Sequence, residues 1–273
     1  MGAGNPFYDS YGRQAQNPNY KYISEETWAA LKNGSAGGSA NPWTLVQTRA
    51  EFQALAAGKT PNRVFGLAQV FDTLQQSRSG NVSADPYIVP LTQTVPTLEE
   101  MTLAALNVLD DDPNGFFVMI EGGAVDLAAH ANQSGRLIEE MNDFNKSIET
   151  VIHWVDTKSD WNETLVIITA DHETGHLTGL SRRSPSPERD AAQAKTDPGS
   201  GQTWNDIISN GPGKLPAMEW HSRNHTNSLV PFFAKGAGAE QFTETIDGND
   251  PVRGPYIDNT DIANTIFALW LTK

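Results

Sequence analysis

Cysteine is absent from all 273 residues. Its absence excludes disulfides, thiolate nucleophiles and cysteine-bound zinc, and leaves the redox compartment open. Long apolar runs are missing too: none approaches the roughly 18 residues that a membrane-spanning helix needs. Positive charge is scarce, with 19 Lys and Arg against 33 Asp and Glu, for a formal net charge of -14. Nucleic acid and anionic membrane surfaces are therefore poor partners. An anionic substrate would need local positive charge, which a bound metal can supply. The opening MGAGNPFYDSYG has neither a basic n-region nor an apolar h-region, so no signal peptide is visible. It reads instead like the interior of a longer chain.

A hydrophobic content of 38% and an aromatic content of 9% fit a globular protein, and residues 1–273 read as a single domain. Met1 to Asn19 is loop. Capping residues start helices at Ser24–Lys32, Thr48–Ala57 and Thr97 to about Leu109. Asn62–Ala68 reads as a short buried strand, and Phe116 to Ile120 as another, broken by Gly122-Gly123. A long helix covers roughly Gly135–Thr157, with Leu137, Met141, Phe144, Ile148, Ile152 and Val155 on one apolar face. Thr164–Thr169 is rich in β-branched residues and reads as a buried parallel strand. Ser181–Pro216 is rich in Ser, Pro, Asp and Gly and reads as an inserted loop. Leu229–Ala234 is a further strand, and Asp258–Leu271 a closing amphipathic helix. Strands alternating with long helices predict an α/β fold, a mostly parallel central sheet with helices on both faces.

In such sheets, sites lie beyond the carboxyl ends of the strands. Glu121 and Asp171-His172 occupy those ends. Asp126 and His130 follow Glu121 on a helix-compatible segment, four residues apart and so on one face. His225 precedes the LVPFFA strand, so its loop must fold back for it to join them. Two histidines with one aspartate and an open position form a common catalytic zinc arrangement. A lone carboxylate with waters suits magnesium. Two metals a few ångströms apart clamp both oxygens of a phosphoryl transfer. The plainer reading of each residue is a turn, cap or surface group.

FFVMIEGGAVDLAAHAN, TADHETG and HTNSLVPFFAKG resemble the metal-site segments of alkaline phosphatases. The resemblance covers most of the chain and is weakest over residues 10–60 and 181–216. It implies that Asp126, His130 and His225 hold a first zinc, Asp171 and His172 a second, and Glu121 a magnesium. It also implies a phosphate monoester substrate, a periplasmic or secreted parent protein and a possible homodimer. Related hydrolases, namely sulfatases, phosphodiesterases and phosphomutases, share the scaffold and differ at the nucleophile. The family's D-S-A type segment, with its serine nucleophile, is not found here, nor is a placed phosphate-gripping arginine. Asp9-Ser10 and Val82-Ser83 lack the strand-to-helix context. The chain is therefore expected to be a C-terminal portion that keeps most metal ligands. A non-catalytic metal-binding half is the alternative from another functional class. His176 and His221 are candidates for supporting or substrate roles, His153 for a structural one, Arg182-Arg183 for a solvated pair, and Trp204 and Trp220 for packing anchors.

Overall fold

The computed structural model describes residues 1–180, 195–196 and 203–271. They form two compact units, Met1–Ala128 with Gln133–Trp154, and Ala129–Asn132 with Val155–Lys273. Among the described residues, no helix is long and apolar enough to cross a membrane.

In the first unit, helices start where side chains cap them. Ser24 caps α1 (Glu25–Lys32). Thr48 and Glu51 form a reciprocal capping box on α2 (Arg49–Ala57), and Thr97 and Glu100 form another on α3 (Leu98–Leu109). Each cap satisfies orphan amides and contributes about 1 kcal/mol. Helices α2 and α3 pack around Phe52, Leu55, Val70, Val95, Met101 and Ala104, against the parallel pair β1 (Thr44–Val46) and β2 (Val64–Gly66). Arg49 adds a two-pronged bond to Glu100 from Nε and Nη2. The short helix α4 (Ala124–His130) precedes the 25-residue α5 (Ser134–Lys158).

Of the expected apolar face of α5, Val155 alone is fully buried. Arg136, Glu139, Ser147 and Thr150 are buried, while Met141 and Ile152 are each 37% exposed. The reason is a buried ion pair: Arg78 Nη2 donates to Glu139 Oε2 at 2.7 Å, with Arg136 Nη1 3.7 Å away. Arg78 also donates to the carbonyls of Gln75, Val89 and Pro90, so its charge is enclosed by acceptors. A buried charge persists only when paired in this way.

The second unit joins β3 (Leu165–Ile168) to β10 (Phe233–Gly236) in an antiparallel pair. Gly236 makes this close approach possible. Its φ is +105°, and a Cβ there would lie 1.9 Å from the Thr164 carbonyl. Short antiparallel ladders follow β3: β4 (Glu173–Thr174) pairs with β9 (His225–Thr226), and β5 (Leu177–Thr178) with β8 (Glu219–Trp220). Strands β6 (Lys195–Thr196) and β7 (Thr203–Trp204) pair together. β11 (Gly248–Asp250) and β12 (Gly254–Tyr256) form a hairpin whose turn amides, of Val252 and Arg253, donate to Asp250. The C-terminal α6 (Asn259–Leu271) packs Leu269 on Gly238.

Several expectations differ from what the described residues show. The expected mostly parallel central sheet is not seen among the described residues, whose strands pair two by two, with one pair parallel. Phe116 to Ile120 is assigned no strand; its exposure alternates, and Phe117 and Met119 face solvent at 59% and 77%. β3 is half-buried and antiparallel rather than buried and parallel. The strand expected at Leu229–Ala234 begins at Phe233, because Pro231 offers no amide to a ladder. Most of the expected 181–216 loop, with Arg182-Arg183 and the Trp204 side chain, lies outside the described residues. Its described end carries β7 and an Ile208–Ala217 bridge.

Glu140 generates a testable pH dependence. Burial pushes its carboxyl up, the charge of Asp143 pushes it further, and it reaches about 7 against an ordinary 4.5 despite the opposing charge of Arg78. Its Oε1 has no hydrogen-bond partner. Between those two values the folded chain binds more protons than the unfolded one, so stability falls as pH rises through the window. Glu140→Gln removes that loss. Chemical denaturation should show near-equal stability at pH 4.5 and a more stable variant at pH 8, by on the order of 1–3 kcal/mol. A difference that does not change with pH contradicts this assignment.

Candidate metal centre

Three of the six candidate ligands come together within the second unit, and a fourth stands beside them. His130 ends α4. Asp171 and His172 follow β3, where the apolar run stops. His225 opens β9, and the β4–β9 register sets it opposite Thr174, two residues after His172. The loop before LVPFFA thus folds back by pairing with β4.

The His130 ring is tilted 41° to the His225 ring, which stacks on His172. His130 Nε2 lies 3.0 Å from His225 Nε2, and the His172 and His225 rings stack with centroids 3.5 Å apart. His172 Nε2 lies 3.1 Å from Asp171 Oδ2, and the Asp171 side chain is 86% exposed. His130 Nδ1 faces the Arg223 carbonyl at 2.6 Å. A carbonyl only accepts, so this nitrogen carries the proton, and in the neutral ring Nε2 keeps its lone pair. That lone pair points at His225. A proton on His225 Nε2 or a cation between the rings satisfies the geometry. Two imidazole nitrogens on one tetrahedral zinc sit about 3.3 Å apart, given Zn–N near 2.05 Å. The observed 3.0 Å separation and the nitrogen-rich donor set fit such an ion.

A second layer fixes the ladder. A Cβ on Gly175 (φ +89°) would lie 2.5 Å from the Trp220 ring, so only glycine lets the ligand loop pass. Trp220 is thus a packing anchor, as expected. Thr178 donates its hydroxyl proton to the Gly179 carbonyl and so accepts from His221 Nε2 at 2.7 Å. His176 is 5% exposed, adopts φ +46° and has a buried Nε2 without a partner. The His176 and His221 rings meet edge to face, 5.5 Å apart, beside β5.

The remaining two candidates belong to the first unit. Asp126 is in the first turn of α4, one turn before His130 on the same helix. Glu121 precedes that helix, exposed, with its carboxylate folded over Gly123. Sequence reasoning missed Thr174, the Arg223 carbonyl, Glu173 and Thr226. The signal for the last two was adjacency, since Glu173 follows Asp171-His172 and Thr226 follows His225. A backbone carbonyl leaves no signal in sequence.

Comparisons with known proteins agree on one family. The family model described as alkaline phosphatase matches residues 9–200. Alkaline phosphatase 4 of Bacillus subtilis (strain 168) is 30% identical over 217 residues, 65% of this chain and 44% of that protein. Alkaline phosphatase H of Pseudomonas aeruginosa (strain UCBPP-PA14) is 34% identical over 117 residues, 43% of this chain and 23% of that protein. A cold-active alkaline phosphatase from Shewanella sp. shares the fold with a TM-score of 0.56 at 21% identity, over 91% of this chain and 63% of that one. The chain spans less than half the length of the first curated relatives it matches, 44% and 46%.

The tautomer assignment is open to direct test. Long-range proton–nitrogen spectra of the metal-free chain, recorded where the imidazoles are neutral, should show His130 with its proton on Nδ1. A proton on Nε2 of His130 would mean that the Arg223 carbonyl does not orient this ring.

Proposed function

The chain belongs to the alkaline phosphatase family, and from that premise we propose that it is the metal-binding, C-terminal portion of a phosphate monoester hydrolase. The observation that carries this reading is the imidazole group, with His130 Nδ1 turned to the Arg223 carbonyl and His130 Nε2 3.0 Å from His225 Nε2. Asp126, one turn from His130 on α4, joins it and His225 as ligands of a first zinc. Asp171 and His172, whose ligand atoms are 3.1 Å apart, hold a second. Glu121 holds magnesium, a hard cation suited to a lone carboxylate with waters.

Bound divalent metal supplies positive charge for oxyanions and lowers the pKa of water. The chain's own residues prepare that site. The Arg223 carbonyl keeps the His130 proton on Nδ1. The Thr174 hydroxyl, 3.1 Å from His172 Nδ1, holds that ring from its other side. Partners of this kind fix ring orientation and raise ligand basicity. The acidic chain offers no long-range attraction for a phosphate ester, so the metals carry the recognition of the anion. The serine nucleophile and the phosphate-gripping arginine are contributed by the part of the parent protein that carries the D-S-A motif. A mostly parallel sheet, a homodimer and a periplasmic or secreted setting belong to that parent on the same reading.

Zinc added to the metal-free chain should fill one tight site and a second, weaker one. His130→Ala or His225→Ala should abolish the tight site; an unchanged stoichiometry contradicts the ligand assignment. Hydrolysis of p-nitrophenyl phosphate by the zinc-loaded chain should stay near background, because loss of a covalent nucleophile costs several orders of magnitude. An efficient rate, abolished by His225→Ala, would show that this chain is catalytically complete.

A further inference from the structure

We propose that Glu173 is a positioning residue that fixes His225 against His172. The proposal rests on the metal-centre reading of those two imidazoles. The strands beside them, β4 directly after His172 and β9 beginning at His225, are each two residues long. Such a ladder is too short to hold its register unaided. The Glu173 carboxylate supplies what the ladder lacks. It follows His172 directly in sequence and stands opposite Thr226, the residue after His225. Its Oε2 accepts the Thr226 hydroxyl in a short bond. Thr226 has one hydroxyl proton, so Ser228, 3.1 Å away, donates to it in turn. The other carboxylate oxygen accepts the His176 amide at 2.7 Å. That bond pins a residue in the left-handed region, at φ +46°. One carboxylate thus joins the residue after His172 to the strand of His225 and to the turn behind them. Charged acceptors make the stronger class of hydrogen bond, so this junction outweighs the backbone pairs around it.

A turn-capping residue with no bearing on the imidazoles would stabilise the fold and leave metal affinity unchanged. The two roles separate by metal titration and by the visible spectrum of cobalt(II), which reports ligand geometry without any turnover. Glu173→Ala should weaken the tight zinc site about 10- to 100-fold and change the intensity of the cobalt bands. Thr226→Val, which keeps the shape and loses the hydroxyl, should do the same, and Thr226→Ser should restore wild-type affinity and spectrum. Should Glu173→Ala fail to fold, the Val and Ser pair at Thr226 carries the test. Wild-type affinity and spectrum in Glu173→Ala, or in Thr226→Val, overturn the proposal while weakened binding in His225→Ala leaves the metal centre standing. Unchanged binding in His225→Ala itself removes the metal centre and the proposal together.

Discussion

Two residue pairs, Glu173–Thr226 and Thr174–His225, decide where the histidines of the second unit meet. Without that ladder, His172 and His225 would sit on separate loops 53 positions apart in the chain (225 − 172). With it, their rings stack, and His130 reaches the edge of the stack from the end of α4. The other features of the unit serve this contact. Gly175 clears space for Trp220, Gly236 lets β10 close on β3, and Glu173 bonds both sides of the ladder. Backbone pairing over so few residues is weak, so side chains and glycines hold what a long sheet would hold alone.

Electrostatics differ between the two units. In the first, buried charge is neutralised by protein: Arg78 answers Glu139, and Arg49 answers Glu100. Burial pushes the Glu100 carboxyl up, but its bonds from Arg49, Gln53 and Thr97 outweigh that and leave it below its ordinary value. In the second unit, the Asp171 side chain stands 86% exposed, with its Oδ2 3.1 Å from His172 Nε2. A carboxylate left in water costs little to hold, because the solvent keeps its charge satisfied.

Local chemistry was legible in the sequence and long-range pairing was not. The starts of α1, α2 and α3 were readable because Ser24, Thr48 with Glu51 and Thr97 with Glu100 act within one turn. Asp171-His172 was readable as a strand end because TLVIIT stops there. Phe116 to Ile120 misled, since an apolar run shows that residues suit a sheet and says nothing of a neighbour. The stripe on α5 misled for the opposite reason. Beside Val155 the helix buries Arg136, Glu139, Ser147 and Thr150, and only the fold brings Arg78 to Glu139 across 61 positions. β4 and β9 were invisible because two residues carry no periodicity. The resemblance to alkaline phosphatases found the imidazoles, and the structure added the groups that orient them.

The central claim is that these imidazoles are metal ligands rather than a structural stack. Zinc-edge X-ray absorption on the chain loaded with one equivalent of zinc tests it most directly. The account predicts a shell of nitrogen and oxygen at about 2.0 Å, with the outer-shell scattering that two imidazole rings produce. A shell of oxygen alone, without imidazole scattering, would contradict it.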